Sequence, residues 1–129
     1  MQWSDWEPSY RAICAQFGYR EEADLAAARE LRALIPATSR FRGLGVLVRN
    51  RRDVAIVGAG PSLERTPPAA LAGQVVVACD GATTWLRETG VVPHLVVTDL
   101  DGAPNDLAWA AAQGSSMVAH AHGDNRPAI

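Results

Sequence analysis

At 129 residues, with 48% hydrophobic and 20% charged side chains, the chain has the composition of a soluble globular domain with a real core and lacks that of a disordered segment. A formal net charge of −2 excludes general electrostatic attraction to nucleic acid or to an anionic membrane surface. Cys14 and Cys79 fit neither a disulfide framework nor a zinc site, the start Met1 to Glu7 lacks the charged and apolar regions of a signal peptide, and no apolar run is long enough to span a membrane. A cytoplasmic protein with no membrane or nucleic-acid partner is expected.

Residues 1–40 are rich in Ala, Glu and Arg and read as a helical segment. Trp6, Tyr10, Ile13, Cys14 and Phe17 recur at helical spacing and stop at Gly18, and Ala23 to Ile35 repeats the pattern before Pro36 closes it. The aromatics are expected to serve packing rather than a ligand cage. A basic run follows, Arg40, Arg42, Arg49, Arg51 and Arg52, read as a solvated connector with phosphate contact as the alternative. Within it, Leu44 to Val48 suits either a helix end or an extra strand.

From Asp53 the texture changes to compact β-branched runs, Val54 to Val57, Val75 to Cys79, Leu95 to Thr98 and Met117 to Ala121, which predict buried parallel strands. Helices are predicted between them at Ala82 to Glu88 and Asn105 to Gln113, with a shorter turn over Pro67-Pro68 and Ala69 to Ala72. Strand and helix in alternation imply an α/β fold, a doubly wound and mostly parallel sheet with right-handed crossovers. Residues 53–129 are thus assigned to an α/β domain and 1–40 to the helical segment preceding it. Asp124-Asn125 and Pro127 announce a further helix that the sequence does not carry. The sheet is therefore expected to be incomplete, the chain a fragment, and the short chain prone to self-association as a homo-oligomer.

In an open parallel sheet, ligands gather beyond the carboxyl ends of the strands. Each predicted strand here ends in a polar or glycine cluster: Gly58-Ala59-Gly60-Pro61-Ser62, Asp80-Gly81, Asp99-Leu100-Asp101-Gly102 and His122-Gly123-Asp124-Asn125. The first suits a phosphate-binding turn, but Leu63 stands where a dinucleotide fingerprint needs its third glycine, and a purely structural strand-to-helix turn is the alternative. Asp99 and Asp101 carry the sharper signal. Alternate residues leaving a strand point the same way, so both carboxylates face one site, with Gly102 permitting the turn that follows. Close carboxylates repel unless a cation lies between them, and hard oxygen ligands beside phosphates suit Mg²⁺. Asp80 and Asp124 add further acid; the bland alternative has Asp101 capping the next helix while Asp99 binds loop amides. His120 and His122 share a strand face by spacing; His120 is read as a core residue, His122 as a phosphate or substrate contact, and His94, after Pro93 at the opposite edge, as structural.

These clusters, together with Pro93-His94-Leu95-Val96-Val97-Thr98 leading into the aspartates, resemble the archaeal 6-hydroxymethyl-7,8-dihydropterin pyrophosphokinases, relatives in fold of thiamin pyrophosphokinase. The resemblance runs over roughly Val54 to Asn125. It implies transfer of pyrophosphate from ATP to the pterin hydroxymethyl oxygen, releasing AMP, in folate or tetrahydromethanopterin biosynthesis. It further implies Mg²⁺ as cofactor and ATP as co-substrate. Carried over by position, Asp80, Asp99, Asp101 and Asp124 form the metal site, with Asp99, Asp101 and Asp124 catalytic. Gly58, Gly60, Pro61, Ser62, Asp80, Gly81, His122 and Asn125 bind nucleotide or pterin. A glycosyltransferase-like enzyme using a nucleotide sugar shares the Gly-Ala-Gly-Pro-Ser-Leu and Asp-Gly-Ala elements, and a non-catalytic nucleotide-binding module is a third reading.

Overall fold

A computed structural model of the chain describes residues 2–36 and 53–129; the basic run and the ambiguous Leu44 to Val48 lie outside them. Two compact units emerge, one of helices with Ala121–Pro127 and one spanning residues 53–120. In the first, α1 covers Trp3–Phe17 and α2 covers Glu21–Leu34. Helix α1 starts ahead of Trp6, the first residue of the apolar pattern, and the Gln2 N–H donates to Asp5 Oδ2 at 3.1 Å, a capping contact at its first turn. Gly18 ends it in the left-handed region at φ 71°, which lets the Tyr19 N–H reach the Cys14 carbonyl at 3.0 Å. Acidic residues crowd the first turn of α2 and Arg32 sits in its last, both favourable against the helix dipole.

The aromatics of α1 were expected to pack, and here the structure differs: Trp3 is 56% and Phe17 59% exposed. Among the described residues their rings meet near neighbours, Trp3 with Tyr10 and Phe17 with Tyr19. Ala27 is the one buried residue of the two helices, and the alanines and charged residues of α2 supply little apolar volume to cover rings. The segment Ala121–Pro127 is held to α2 by Gly123 N–H donating to Asp24 Oδ1 at 2.7 Å and by the Arg126–Glu30 ion pair. A side chain at position 123 would put its Cβ 2.7 Å from that of Ala23, so only glycine fits this approach. The helix announced by Asn125 and Pro127 appears as a single 3₁₀ turn, Arg126–Ala128.

The second unit is a four-stranded parallel sheet in the order β1-β2-β3-β4, namely Val54–Val57, Val75–Cys79, Leu95–Thr98 and Ser116–Ala119. The first three match the predicted runs; β4 is shifted, ending at Ala119 rather than Ala121. Beyond it the His120 N–H still reaches the Thr98 carbonyl at 2.8 Å, after which the chain leaves the ladder. Two 3₁₀ turns, Leu63–Arg65 and Pro68–Leu71, lie in the β1-to-β2 crossover, and helices α3 (Ala82–Glu88) and α4 (Pro104–Ala112) form the other two, α4 opening one residue early because Pro104 is pre-set for a first helical position.

Partners in a parallel register share a face, which sorts the strands. Val57, Val76, Ala78 and Val96 point to one side and bury themselves with Ala82, Leu86 and Ala110 of the two helices. Helices α3 and α4 are tied by Asp106, whose carboxylate accepts from Thr84 Oγ1 and from Arg87 Nη1, each at 2.6 Å. The opposite face keeps Val75 and Leu95 buried but leaves Ile56 74% exposed, with Val54 and Val97 partly open. At the amino ends of the strands, His94 Nδ1 accepts the Val76 N–H at 3.1 Å, the structural role expected of it.

A candidate acidic site at the strand ends

The carboxyl ends of β2 and β3 are built around two non-glycine residues with positive φ, Asp80 at 38° and Leu100 at 70°. Such conformations are costly for side chains with a Cβ and concentrate where function needs them. At the end of β2, the Asp80 N–H is bonded to the Val97 carbonyl at 2.9 Å, which carries the residue one step past the strand before Gly81 leads into α3. At the end of β3, Thr98 is the last paired residue, so Asp99 and Asp101 do not sit on an extended strand at all. Strict alternation was the sequence argument for bringing their carboxylates together; the left-handed turn at Leu100 does it instead.

Oxygens of Asp80, Asp99 and Asp101 all lie within 4.8 Å of one another, the one such metal-competent group among the described residues. Hydrogen bonding to Asp80 and the charges of Asp99 and Asp80 push the Asp101 carboxyl up from 3.8 to about 6. A divalent cation relieves that repulsion, and an all-carboxylate set of hard oxygens fits Mg²⁺. Gly102 has a different reason from the one the sequence suggested. Its φ is not in the left-handed region; an added Cβ would instead lie 2.6 Å from Asp80 Oδ1, so the missing side chain is space for the Asp80 carboxylate. Asp101 does not cap α4, since Ala103 holds that position.

The turn after β1 lies beside these residues. A Cβ on Gly81 would touch the Cβ of Ala59 at 3.6 Å, which sets the Gly58 to Ser62 turn against the Asp80–Gly81 turn. The turn closes through the Leu63 N–H to the Gly60 carbonyl at 2.9 Å, and Ser62 opens a short 3₁₀ helix, Leu63–Arg65. Gly58 and Ser62 line a cavity of about 210 Å³ with Ile56, Leu63, Thr66 and Leu71. Neither Gly58 nor Gly60 has a positive φ or a neighbour within 4 Å of a built Cβ. Nothing in the described packing demands glycine there.

Asp124, His122 and Asn125 belong to the helical unit. His122 Nδ1 pairs with the Asp124 carboxylate, and the His122 N–H donates to Asn125 Oδ1 at 2.9 Å, so the three form one local turn. His120 and His122 do not share a strand face, because β4 has already ended. Sequence reasoning missed Thr98, whose hydroxyl lies between the two aspartate-bearing turns; a small hydroxyl closing an apolar strand immediately before the acidic motif was the available signal.

The chain is an α/β protein whose parallel sheet ends in clustered carboxylates, the edge at which open sheets of this class place their ligand sites. The family model described as "6-hydroxymethylpterin diphosphokinase MptE-like" matches residues 29–129, and the chain belongs to this family. Among curated relatives, the 6-hydroxymethyl-7,8-dihydropterin pyrophosphokinase of Pyrococcus furiosus is 38% identical over 97% of this chain and 54% of its own length. The proteins of the same name from Methanothermobacter thermautotrophicus and Methanocaldococcus jannaschii are 38% and 31% identical, over 98% and 97% of this chain and 54% and 55% of their own. The chain spans about half the length of the curated relatives it matches.

Proposed function

We propose that the whole protein transfers a diphosphoryl group from ATP to the hydroxymethyl oxygen of 6-hydroxymethyl-7,8-dihydropterin. That oxygen attacks the β-phosphorus, the bond from the β-phosphorus to the oxygen bridging it to the α-phosphorus breaks, and AMP leaves with that oxygen. The hydroxymethyl proton passes to a carboxylate of the site, with Asp99, Asp101 and Asp124 as the candidates. The observation that carries the reading is the convergence of Asp80, Asp99 and Asp101 at the strand ends in a chain of this family.

Asp80, Asp99 and Asp101 would hold Mg²⁺, with Asp124 the further carboxylate that the family resemblance adds. Bound there, the cation supplies charge neutralisation to phosphate oxygens. Gly58, Gly60, Pro61 and Ser62 would receive the phosphates or the pterin: their glycines leave open space, so a ligand could approach the backbone closely. Asp80 and Gly81 would flank the same ligand, and His122 and Asn125 would contact phosphate or substrate. The names of the relatives favour this chemistry over a nucleotide-sugar transferase or a non-catalytic module. A cytoplasmic location in a folate or tetrahydromethanopterin route goes with the reading; among the described residues no helix is long and apolar enough to cross a membrane.

The test is product analysis on the full-length protein with ATP, pterin and Mg²⁺. AMP and a pterin diphosphate are expected, lost on chelation of the metal. Formation of ADP would make the enzyme an ordinary kinase and overturn the assignment.

A further inference from the structure

We infer that Thr98 is a positioning residue of the acidic site, its hydroxyl locking the Asp80 carboxylate and the Leu100 turn into one arrangement. The inference rests on the reading of Asp80, Asp99 and Asp101 as cation ligands. Thr98 is 2% exposed at the last position of β3. Its Oγ1 lies 2.5 Å from Asp80 Oδ1 and 2.8 Å from the Leu100 backbone nitrogen.

The direction of both bonds follows from what each group is able to do. A backbone N–H only donates, so the hydroxyl accepts from Leu100, and its single proton is left for Asp80. A carboxylate acceptor makes that second bond short and strong. One buried hydroxyl thus joins the end of β2 to the turn after β3, and both ends of the link are strained residues, Asp80 with φ 38° and Leu100 with φ 70°. The Leu100 turn is what carries Asp99 and Asp101 to the same place as Asp80. Without the hydroxyl, Asp80 Oδ1 would lose a donor and the Leu100 N–H its acceptor, and neither strained backbone would keep that restraint. Thr98 touches none of the reacting groups in this scheme; it acts through the ligands.

The experiment is Mn²⁺ binding, metal alone, to the full-length protein and to Thr98→Val and Thr98→Ser, with circular dichroism establishing that each is folded at the temperature used. Valine keeps the shape of threonine and removes the hydroxyl; serine keeps the hydroxyl. Thr98→Val should bind Mn²⁺ about 10- to 100-fold more weakly, the range for removing a group that orients a metal ligand, while Thr98→Ser stays within about 3-fold of wild type. A folded Thr98→Val with wild-type affinity overturns the inference and leaves the cation reading standing. Failure of the wild-type protein to bind Mn²⁺ overturns both. Should Thr98→Val not fold, Thr98→Cys, whose thiol is a weak donor, is measured in its place against the same two outcomes.

Discussion

Replacing Gly102 by alanine should damage the acidic site while leaving the fold intact. The added Cβ would stand 2.6 Å from Asp80 Oδ1, 3.1 Å from its Cγ and 3.5 Å from Oδ2. Ordinary van der Waals contact begins at 3.4 Å, well beyond the shortest of these, so one partner has to move. The side chain of Asp80 cannot swing away cheaply, because the same Oδ1 is bonded to Thr98 at 2.5 Å. The backbone at position 102 tolerates a Cβ, so the strain falls on the carboxylate. Overpacking of this kind costs about 1–3 kcal/mol of stability. A ligand displaced by that much should lower turnover about 10- to 100-fold. The assay is Mn²⁺ titration and AMP formation by full-length Gly102→Ala, with urea unfolding alongside. Wild-type affinity and turnover in a folded Gly102→Ala would refute the argument that this glycine makes room for Asp80.

Asp99→Asn and Asp101→Asn keep side-chain size and remove charge; each should lower turnover of the full-length enzyme at least about 100-fold, about 2.7 kcal/mol in the barrier, with an unchanged circular dichroism spectrum. In metal-free protein, the Asp101 carboxyl is pushed up from 3.8 to about 6, so the folded state holds this proton more tightly than the unfolded one. Its contribution to stability should therefore decline as pH rises from the ordinary carboxylate value toward 6, and Mg²⁺ should restore it, as thermal unfolding with and without metal will reveal. Asp106 is the opposite case: the bonds from Thr84 and Arg87 hold its carboxyl below the ordinary value. Asp106→Ala should cost about 2–3 kcal/mol near neutral pH, and the difference from wild type in urea unfolding should shrink as pH falls below the ordinary carboxylate range through the depressed folded value.

The sheet was legible because its first three runs, Val54 to Val57, Val75 to Cys79 and Leu95 to Thr98, are short, β-branched and bounded by turn residues. The fourth run was misjudged at its end: Ala121 is as compatible with a strand as Ala119, yet the chain that follows bonds to α2 through Gly123 and Arg126. Those bonds join positions about a hundred residues apart, a separation over which periodicity carries no information. The acidic motif was legible in its residue types, but its geometry was not. Positive φ at a leucine breaks the local rules on which strand alternation rests, and the seat of Gly102 against Asp80 is a contact between turns. The exposed stripe on α1 is the converse, an apolar periodicity that forms the helix without burying its face.

The sequential strand order has a consequence for how the chain comes to be folded. Among the described residues each ladder joins strands that follow one another in the sequence, Val54 opposite Val75, Val77 opposite Leu95 and Leu95 opposite Ser116. Strands that pair in the order in which they are made suit a polypeptide that emerges amino end first from the ribosome. Asp80, Asp99 and Asp101, with the Thr98 bond that joins their turns, all come from the single unit β2-α3-β3. The residues of the acidic centre therefore lie in one contiguous stretch of chain, all of it synthesised before β4.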